Sequence, residues 1–439
     1  MPSNISGSYD YDVIIVGGGI AGMQASLDLA DQGFKVAIME SDASIGGKMI
    51  RLDKVFPTLD CASCITTPKM AAVAHHRNIS IITMCDLQSV EKSNGLFKTK
   101  FIQRPRYVNT HLCIGCRQCE YACPVLVPDE EQRGLSARKA IYIPFSNAIP
   151  QIALLDVESC TLCGKCSRVC PTHAVDYFQQ PESLELKAKA VILATGYQLL
   201  EEFPKRAYGE AADNPNVINA LHLERIIAPT GPYMRILRPG DGKEPEKLAF
   251  ILCAGSRDET LGVPYCSRVC CMYSIKNALL IRHELPNIQI SIFYIDLRAF
   301  GKNYEQFLRK AKEEGIRFVK AKPTIKVSTP GQGVILRYED QEGTEGMAEE
   351  EFDLAVLSLA VIPAWSPEGR VAVAMDEYGF MAPDSPKAAP TLTEMEGVFI
   401  AGMASGPKDI VDTIIEAGAA AMEASDYIKK LDKDISLAA

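Results

Sequence analysis

The 439-residue sequence contains no apolar run of the ~18 residues that a membrane span needs. Its start, MPSNISGSYDYD, has neither the basic stretch nor the apolar core of a secretory leader. Long blocks of one charge are also missing. A net charge of −9 is spread along the chain, which argues against nucleic acid or an anionic membrane as the main partner. The six histidines, His75-His76 included, show no metal-ligand spacing, so solvated or packing roles are expected of them. These absences leave a chain of ordinary globular composition, 47% apolar and 23% charged, long enough for two or three domains with proper cores. A cytoplasmic location is expected, and with it thiolates rather than disulfides.

Fifteen cysteines are present, and eight fall into two near-identical runs. These are Cys113-x2-Cys116-x2-Cys119-x3-Cys123-Pro124 and Cys160-x2-Cys163-x2-Cys166-x3-Cys170-Pro171. The spacing is that of bacterial two-cluster ferredoxins, where three thiolates of one run hold a four-iron cluster and the fourth serves its neighbour. Cys113, Cys116, Cys119 and Cys170 are therefore assigned to one [4Fe-4S] cluster, and Cys160, Cys163, Cys166 and Cys123 to the other. Gly115 and Gly164 are expected to relax the ligand loops. Zinc ribbons and disulfides are the competing readings, and a doubled run ending in proline disfavours both.

At the N-terminus, Tyr11-Asp-Val-Ile-Ile-Val16 reads as a buried parallel strand, followed by Gly17-Gly-Gly-Ile-Ala-Gly22 and a helix from Met23 to Gln32. This order is that of a dinucleotide-binding turn. Gly17 allows the tight turn, Gly19 lets the backbone approach a pyrophosphate, and Gly22 lets helix and strand pack closely. A second strand, Lys35 to Met39, ends in Glu40, placed to accept ribose hydroxyls. Ser44-Ile-Gly-Gly47-Lys48, Ala190-Val-Ile-Leu-Ala-Thr195-Gly196 and Gly397-Val-Phe-Ile-Ala-Gly402 are similar to the FAD segments of disulfide-reductase-like flavoproteins. Met403 stands where that group has an aspartate for the ribityl chain. Backbone amides around Gly402 and the start of a helix from Asp409 to Ala424 are expected to substitute.

Between the FAD segments such proteins carry a second Rossmann unit for NAD(P)H. Here Lys247 to Cys253 reads as a strand, Val269 to Glu284 as a helix, Ile288 to Ile295 as a strand and Tyr304 to Glu314 as a helix. The phosphate loop is replaced by thiols: Cys253, Cys266, Cys270 and Cys271 cluster at the strand end and the helix start. Cys266 and Cys270 share a face if the helix has begun there, and a helix N-terminus is expected to lower thiol pKa. On the residues alone, a third iron–sulfur cluster, a redox-active pair and inert buried thiols stay open.

Together with Phe56-Pro-Thr-Leu-Asp-Cys61-x2-Cys64-x3-Pro68-Lys69-Met70 and Tyr265 to Tyr273, these features resemble the A subunit of heterodisulfide reductase over nearly the whole chain. The resemblance implies FAD as central cofactor and a third cluster on Cys253, Cys266, Cys270 and Cys271. It also implies that Lys276 lies near the flavin N5, where a cation stabilises the reduced ring. The partners implied are other subunits of a heterodisulfide-reductase-like complex and a redox partner protein, with a homodimer as one arrangement inside it. Long family members look like this core with an N-terminal cluster-bearing extension and a C-terminal ferredoxin domain; cluster paths through those parts are expected from partner subunits here. Bifurcation or confurcation and simple one-path transfer both stay open.

Cys61 and Cys64 read as a redox pair, a docking feature or half of a metal site. Cys85, Tyr294 and Tyr304 read as core, and Glu339 to Glu351 as a solvated hairpin. The expected fold is a two-dinucleotide-binding α/β flavoprotein with an inserted ferredoxin domain. Its FAD domain covers 1–105, 183–240 and 370–439, the insert 106–182 and the degenerate nucleotide domain 241–369, with Pro229 to Pro245 and Pro383 to Pro390 as linkers. The function expected is flavin and iron–sulfur electron transfer. The alternatives are a stand-alone NAD(P)H-dependent oxidoreductase, which the missing glycine loop disfavours, and a scaffold whose clusters only stabilise it.

Overall fold

The computed structural model describes residues 9–201, 208, 214–326, 333–339 and 346–438, the last four of these by backbone only. Chain direction and burial follow from the apolar pattern. Strand β1 (Tyr11–Val16) is fully buried over its last residues and feeds helix α1 (Ile20–Ala30), whose N-cap Gly19 has extended backbone. The helix thus begins three residues earlier than Met23. Strands β2 (Val36–Met39) and, after helix α2 (Ala62–His75), β3 (Ile79–Ile82) extend a parallel sheet outward from β1. The chain then makes an antiparallel pair, β4 (Cys85–Ser93) and β5 (Leu96–Gln103). Cys85 is buried core, and burial pushes its thiol up to about 12.

Residues 104–181 form the insert, with two short helices, α3 (Gln118–Ala122) and α4 (Lys165–Val169), around a small core that includes Cys123 and Cys166. The chain returns in β6 (Glu182–Leu193). The first half of β6 pairs antiparallel with β5, Glu182 opposite Gln103, and its second half runs parallel to β1.

After β7 (Val217–Asn219) and helix α5 (Ala220–Ile227), an irregular stretch leads to a second parallel sheet. This contains β8 (Lys247–Ala254), β9 (Gln289–Tyr294), β10 (Arg317–Lys320) and β11 (Leu354–Leu359) in the order β7-β11-β8-β9-β10. Helices α6 (Cys270–Glu284) and α7 (Tyr304–Glu313) cover one face, and an antiparallel three-stranded sheet covers the other. Two strands of that small sheet, Val334–Glu339 and Met347–Phe352, flank the expected acidic hairpin, whose residues 340–345 lie outside the described residues.

The chain closes in the first domain. Strand β12 (Val398–Ile400) lies parallel to β6, and helix α8 (Ile410–Ala438), longer than the sequence pattern suggests, packs beside α1. Ala417, Ala420, Ala421 and Ala424 of α8 meet Ala21, Ala25 and Leu29 of α1, small side chains that let the helices lie close. Asp409 caps α8 through the Asp412 N–H (2.8 Å) and accepts the Tyr304 hydroxyl (2.7 Å), tying the two domains together. Among the described residues no helix is long and apolar enough to cross a membrane.

Candidate flavin and cluster sites

The turn after β1 is glycine-bound by contact. A Cβ on Gly22 would meet the Gly17 carbonyl oxygen at 1.9 Å, and one on Gly17 would meet the Ala194 oxygen at 2.3 Å. Gly19 differs. A Cβ there would find nothing nearer than the Gly47 Cα at 4.0 Å, so the protein's own packing does not demand glycine. The open space beside it, at the N-terminus of α1, fits a pyrophosphate. Gly47 reaches the same spot from the loop after β2. Gly196, with positive φ, sits at the turn after β6, next to Thr195.

Glu40 ends β2 as a buried carboxylate. Its Oε2 accepts the Gly18 N–H at 2.6 Å and its Oε1 the Asp42 N–H at 2.8 Å. Burial holds its pKa above the usual carboxylate range, with nearby Asp42 adding to the effect. The carboxylate thus fixes the turn. Gly402 behaves unlike the expectation: its N–H is donated to Glu416 Oε2 at 2.6 Å, and that carboxylate is held by Lys408 at 2.7 Å. The acid beside the last FAD segment therefore comes from α8 rather than from position 403.

A cleft of about 460 Å³ opens between the domains, lined by Lys48, Arg51, Glu131, Arg133, Glu201 and Arg225. Arg51 pairs with Glu131 and Arg133 with Glu201. Lys48 instead lies over the Tyr197 ring at 4.9 Å, and burial, with Arg51 adding, lowers its pKa. Arg225 is bound by neutral acceptors, Gln132, the Arg51 carbonyl and Thr230. No local sequence signal marks this cation-rich lining, because it is assembled from four distant segments.

Lys276 does not line that cleft. Its ammonium is buried against Glu224 Oε1 at 2.5 Å and the Lys54 carbonyl at 2.9 Å. Glu224 also accepts the Asp53 N–H and the Asn277 amide, so one carboxylate joins three segments at the domain boundary.

The insert brings cysteines of different runs together. Cys113, Cys116 and Cys119 line one small void with Cys170, whose Sγ accepts the Ala174 N–H at 3.3 Å. Burial pushes the Cys119 thiol up to about 12, and Cys113, Cys116 and Cys170 add to this. In the second run, Cys166 Sγ lies 3.1 Å from the Tyr177 hydroxyl, close to Cys160 and Cys163. Cys123 lies in the same small core as Cys166. The loops repeat each other in conformation: Gly115 and Leu162 are both left-handed, and so are Arg117 and Gly164. Each loop therefore needs two left-handed residues, only one of them glycine. The insert is fastened to the FAD loop, with the Ile45 N–H on the Ile149 carbonyl (3.0 Å) and the Ile149 N–H on the Ser44 hydroxyl (2.8 Å).

At the third group, Cys253 is the penultimate residue of β8 and has a left-handed φ of 56°, and Cys270 and Cys271 begin α6. Cys266 lies before the helix, so it shares no helical face with Cys270. Cys253, Cys266, Cys270 and Cys271 nevertheless lie near enough for their charges to interact. The expected lowering of thiol pKa is reversed. Burial pushes Cys253 up to about 12 and raises Cys270 and Cys271, because desolvation outweighs the helix N-terminus. Among the described residues no group of three or more His, Cys, Asp or Glu side chains is set to hold a single metal ion. Four-iron clusters ask for something different, since each thiolate meets its own iron.

A family model described as a 4Fe-4S dicluster domain matches residues 112–175, and one described as an FAD binding domain matches residues 12–51. The A subunit of the H(2):CoB-CoM heterodisulfide,ferredoxin reductase of Methanothermobacter marburgensis is 42% identical over 431 residues, 96% of this chain and 65% of the relative. The iron-sulfur A subunit of the CoB–CoM heterodisulfide reductase of Methanocaldococcus jannaschii is 43% identical over 424 residues, 95% of this chain and 64% of the relative. The chain is homologous to the A subunit of heterodisulfide reductase. It spans just under two thirds of the length of these curated relatives. Thioredoxin reductases of T. acidophilum (TM-score 0.54, 16% identity, 96% of this chain and 100% of that one) and Lactococcus lactis (0.53, 17%, 96% and 100%) share the two-dinucleotide-binding fold.

Proposed function

We propose that the chain is the flavin and iron–sulfur electron-transfer subunit of a heterodisulfide-reductase-like complex in the cytoplasm. FAD, when bound, exchanges electrons singly and in pairs, and four-iron clusters exchange them one at a time. One observation carries the reading: the insert that gathers Cys113, Cys116, Cys119 and Cys170 is hydrogen-bonded to the Ser44–Lys48 loop of the dinucleotide site. Clusters held there stand beside the flavin cleft. Gly17, Gly19, Gly22, Glu40, Gly47, Lys48, Thr195, Gly196 and Gly402 are the residues proposed to hold FAD, with Glu416 added from α8. Cys160, Cys163, Cys166 and Cys123 are proposed for the second cluster and Cys253, Cys266, Cys270 and Cys271 for a third.

Lys276 is proposed to lie near the flavin N5, with Glu224 as the buried counter-ion that balances its charge there. The redox partner is proposed to dock on the insert, where Ile114, Tyr121, Leu126, Leu162 and Phe178 are each more than 60% exposed. Anaerobic isolation with flavin, iron and sulfide quantified tests the reading; one FAD and about twelve irons per chain are expected. A chain that binds neither flavin nor iron overturns it, and about eight irons would remove the third cluster alone. Bleaching of the flavin by NADH or NADPH without any partner would favour the stand-alone oxidoreductase instead.

A further inference from the structure

Cys61 and Cys64 belong to none of the cysteine groups above, and they alone are joined as a disulfide among the described residues. Cys61 is the N-cap of α2, and its Sγ accepts the Cys64 N–H at 3.2 Å. Cys64 is exposed, with Ile65 beside it also open to solvent. The pair ends an arm that leaves the first domain at Asp53, bridges Lys54 to Cys61, and lays Phe56 against Tyr304 at 5.6 Å. Its base is pinned by the Asp53 N–H on Glu224 and the Lys54 carbonyl on Lys276.

A structural staple explains this pair poorly. A sequence separation of 3 closes almost no loop, and the entropic benefit of a cross-link grows with loop length. If the other cysteines ligate clusters, as proposed above, the chain works where thiols stay reduced. Disulfides found in such compartments are usually transient and catalytic or redox-sensing.

We infer that Cys61 and Cys64 form a separate dithiol–disulfide site that exchanges with an external dithiol. One thiolate of the dithiol attacks the exposed Cys64 Sγ. The Cys61–Cys64 bond breaks, a mixed disulfide forms on Cys64, and Cys61 leaves as a thiolate held by the Cys64 N–H and the N-terminus of α2. The second thiolate of the dithiol then attacks its own partner sulfur in the mixed disulfide and releases Cys64. Two electrons have passed to the pair, the external dithiol has become a cyclic disulfide, and its two protons end on Cys61 and Cys64 or in solvent.

The test uses the full chain with its cofactors, equilibrated anaerobically with mixtures of reduced and oxidised dithiothreitol, quenched by alkylation and analysed by peptide mass. The peptide carrying Cys61 and Cys64 is expected to gain two alkyl groups as the reductant fraction rises and to lose them when the ratio is reversed. Flavin and iron contents should stay unchanged throughout. The Cys61→Ser chain, whose Cys64 is then a free thiol, is expected to trap a mixed disulfide when its thiolate attacks an oxidised monothiol such as glutathione disulfide, releasing one equivalent of the reduced monothiol. A pair that stays oxidised until the chain is denatured, one that stays reduced at every ratio, or one shielded from alkylation by bound iron or zinc overturns the inference. The wild-type titration stands by itself if the variant fails to fold.

Discussion

The Lys276 ammonium and the Glu224 carboxylate lie 2.5 Å apart with side chains only 2% and 4% exposed. This is the most deeply buried ion pair among the described residues, and it joins α5 to α6 while Glu224 also holds the Asp53 amide. Removing one partner leaves the other charge without its counter-ion where water cannot reach it.

Lys276→Met is therefore expected to lower stability by about 3–5 kcal/mol. The double variant Lys276→Met with Glu224→Leu should recover part of that loss, because no unpaired charge remains. Chemical denaturation of the two variants and the parent under anaerobic conditions checks this; equal losses for single and double variants would contradict it.

Gly19 and Gly22 separate binding from folding. Gly22→Ala is expected to disrupt the domain, since its Cβ would sit 1.9 Å from the Gly17 oxygen. Gly19→Ala should fold with an unchanged denaturation midpoint, yet retain less flavin, because its methyl group enters only the open space beside the turn. Flavin per chain after gel filtration, set beside the midpoint, reads both effects.

The crossed cysteine sets predict a pattern of iron loss. Cys170→Ser and Cys113→Ser should each remove one cluster of about four irons, and the pair together no more than either alone. Cys113→Ser with Cys123→Ser should remove about eight. Iron and sulfide analysis distinguishes this from uncrossed runs, for which the first pair would be additive.

His222 gives a pH dependence. Burial, with Arg133 adding, lowers its pKa from 6.5 to about 4, and its Nδ1 has no hydrogen-bond partner among the described residues. Above pH 6.5 neither folded nor unfolded chain holds the proton, so the contribution to stability is complete. As pH falls from 6.5 toward about 4 the unfolded chain takes up the proton first, and stability declines by up to ~1.4 kcal/mol per pH unit. His222→Gln should flatten the stability profile between about pH 5 and 6.5, measured by chemical denaturation; an unaltered slope would place the titration elsewhere.

What the sequence made legible is what local geometry dictates. Gly17 and Gly22 must be glycine because backbone meets backbone there, and cluster ligands crowd into short loops, so their spacing survives in the chain. The relation to a two-dinucleotide fold was legible for the same reason, from strand-and-turn units that each close within a few residues. The cleft lining was not, since Lys48, Arg133, Glu201 and Arg225 meet only after the insert folds back on α5. Nor was the sign of the thiol shifts around α6: a helix N-terminus is visible in a pattern, but the depth of the pocket beneath it is not. The Glu416 carboxylate on Gly402 escaped notice because α8 supplies it from fourteen residues away.

Gln103 and Glu182 face each other across β5 and β6, so the chain leaves the sheet for the insert and rejoins it one strand spacing away. That gap, about 5 Å, is what any tight hairpin closes. To the flavin sheet the whole cluster-bearing module is thus equivalent to a turn. The pairing of β5 with β6 is made on the sheet side of that crossing, while the module is tied back to the domain by separate contacts, Ile149 on Ser44 and Glu131 on Arg51.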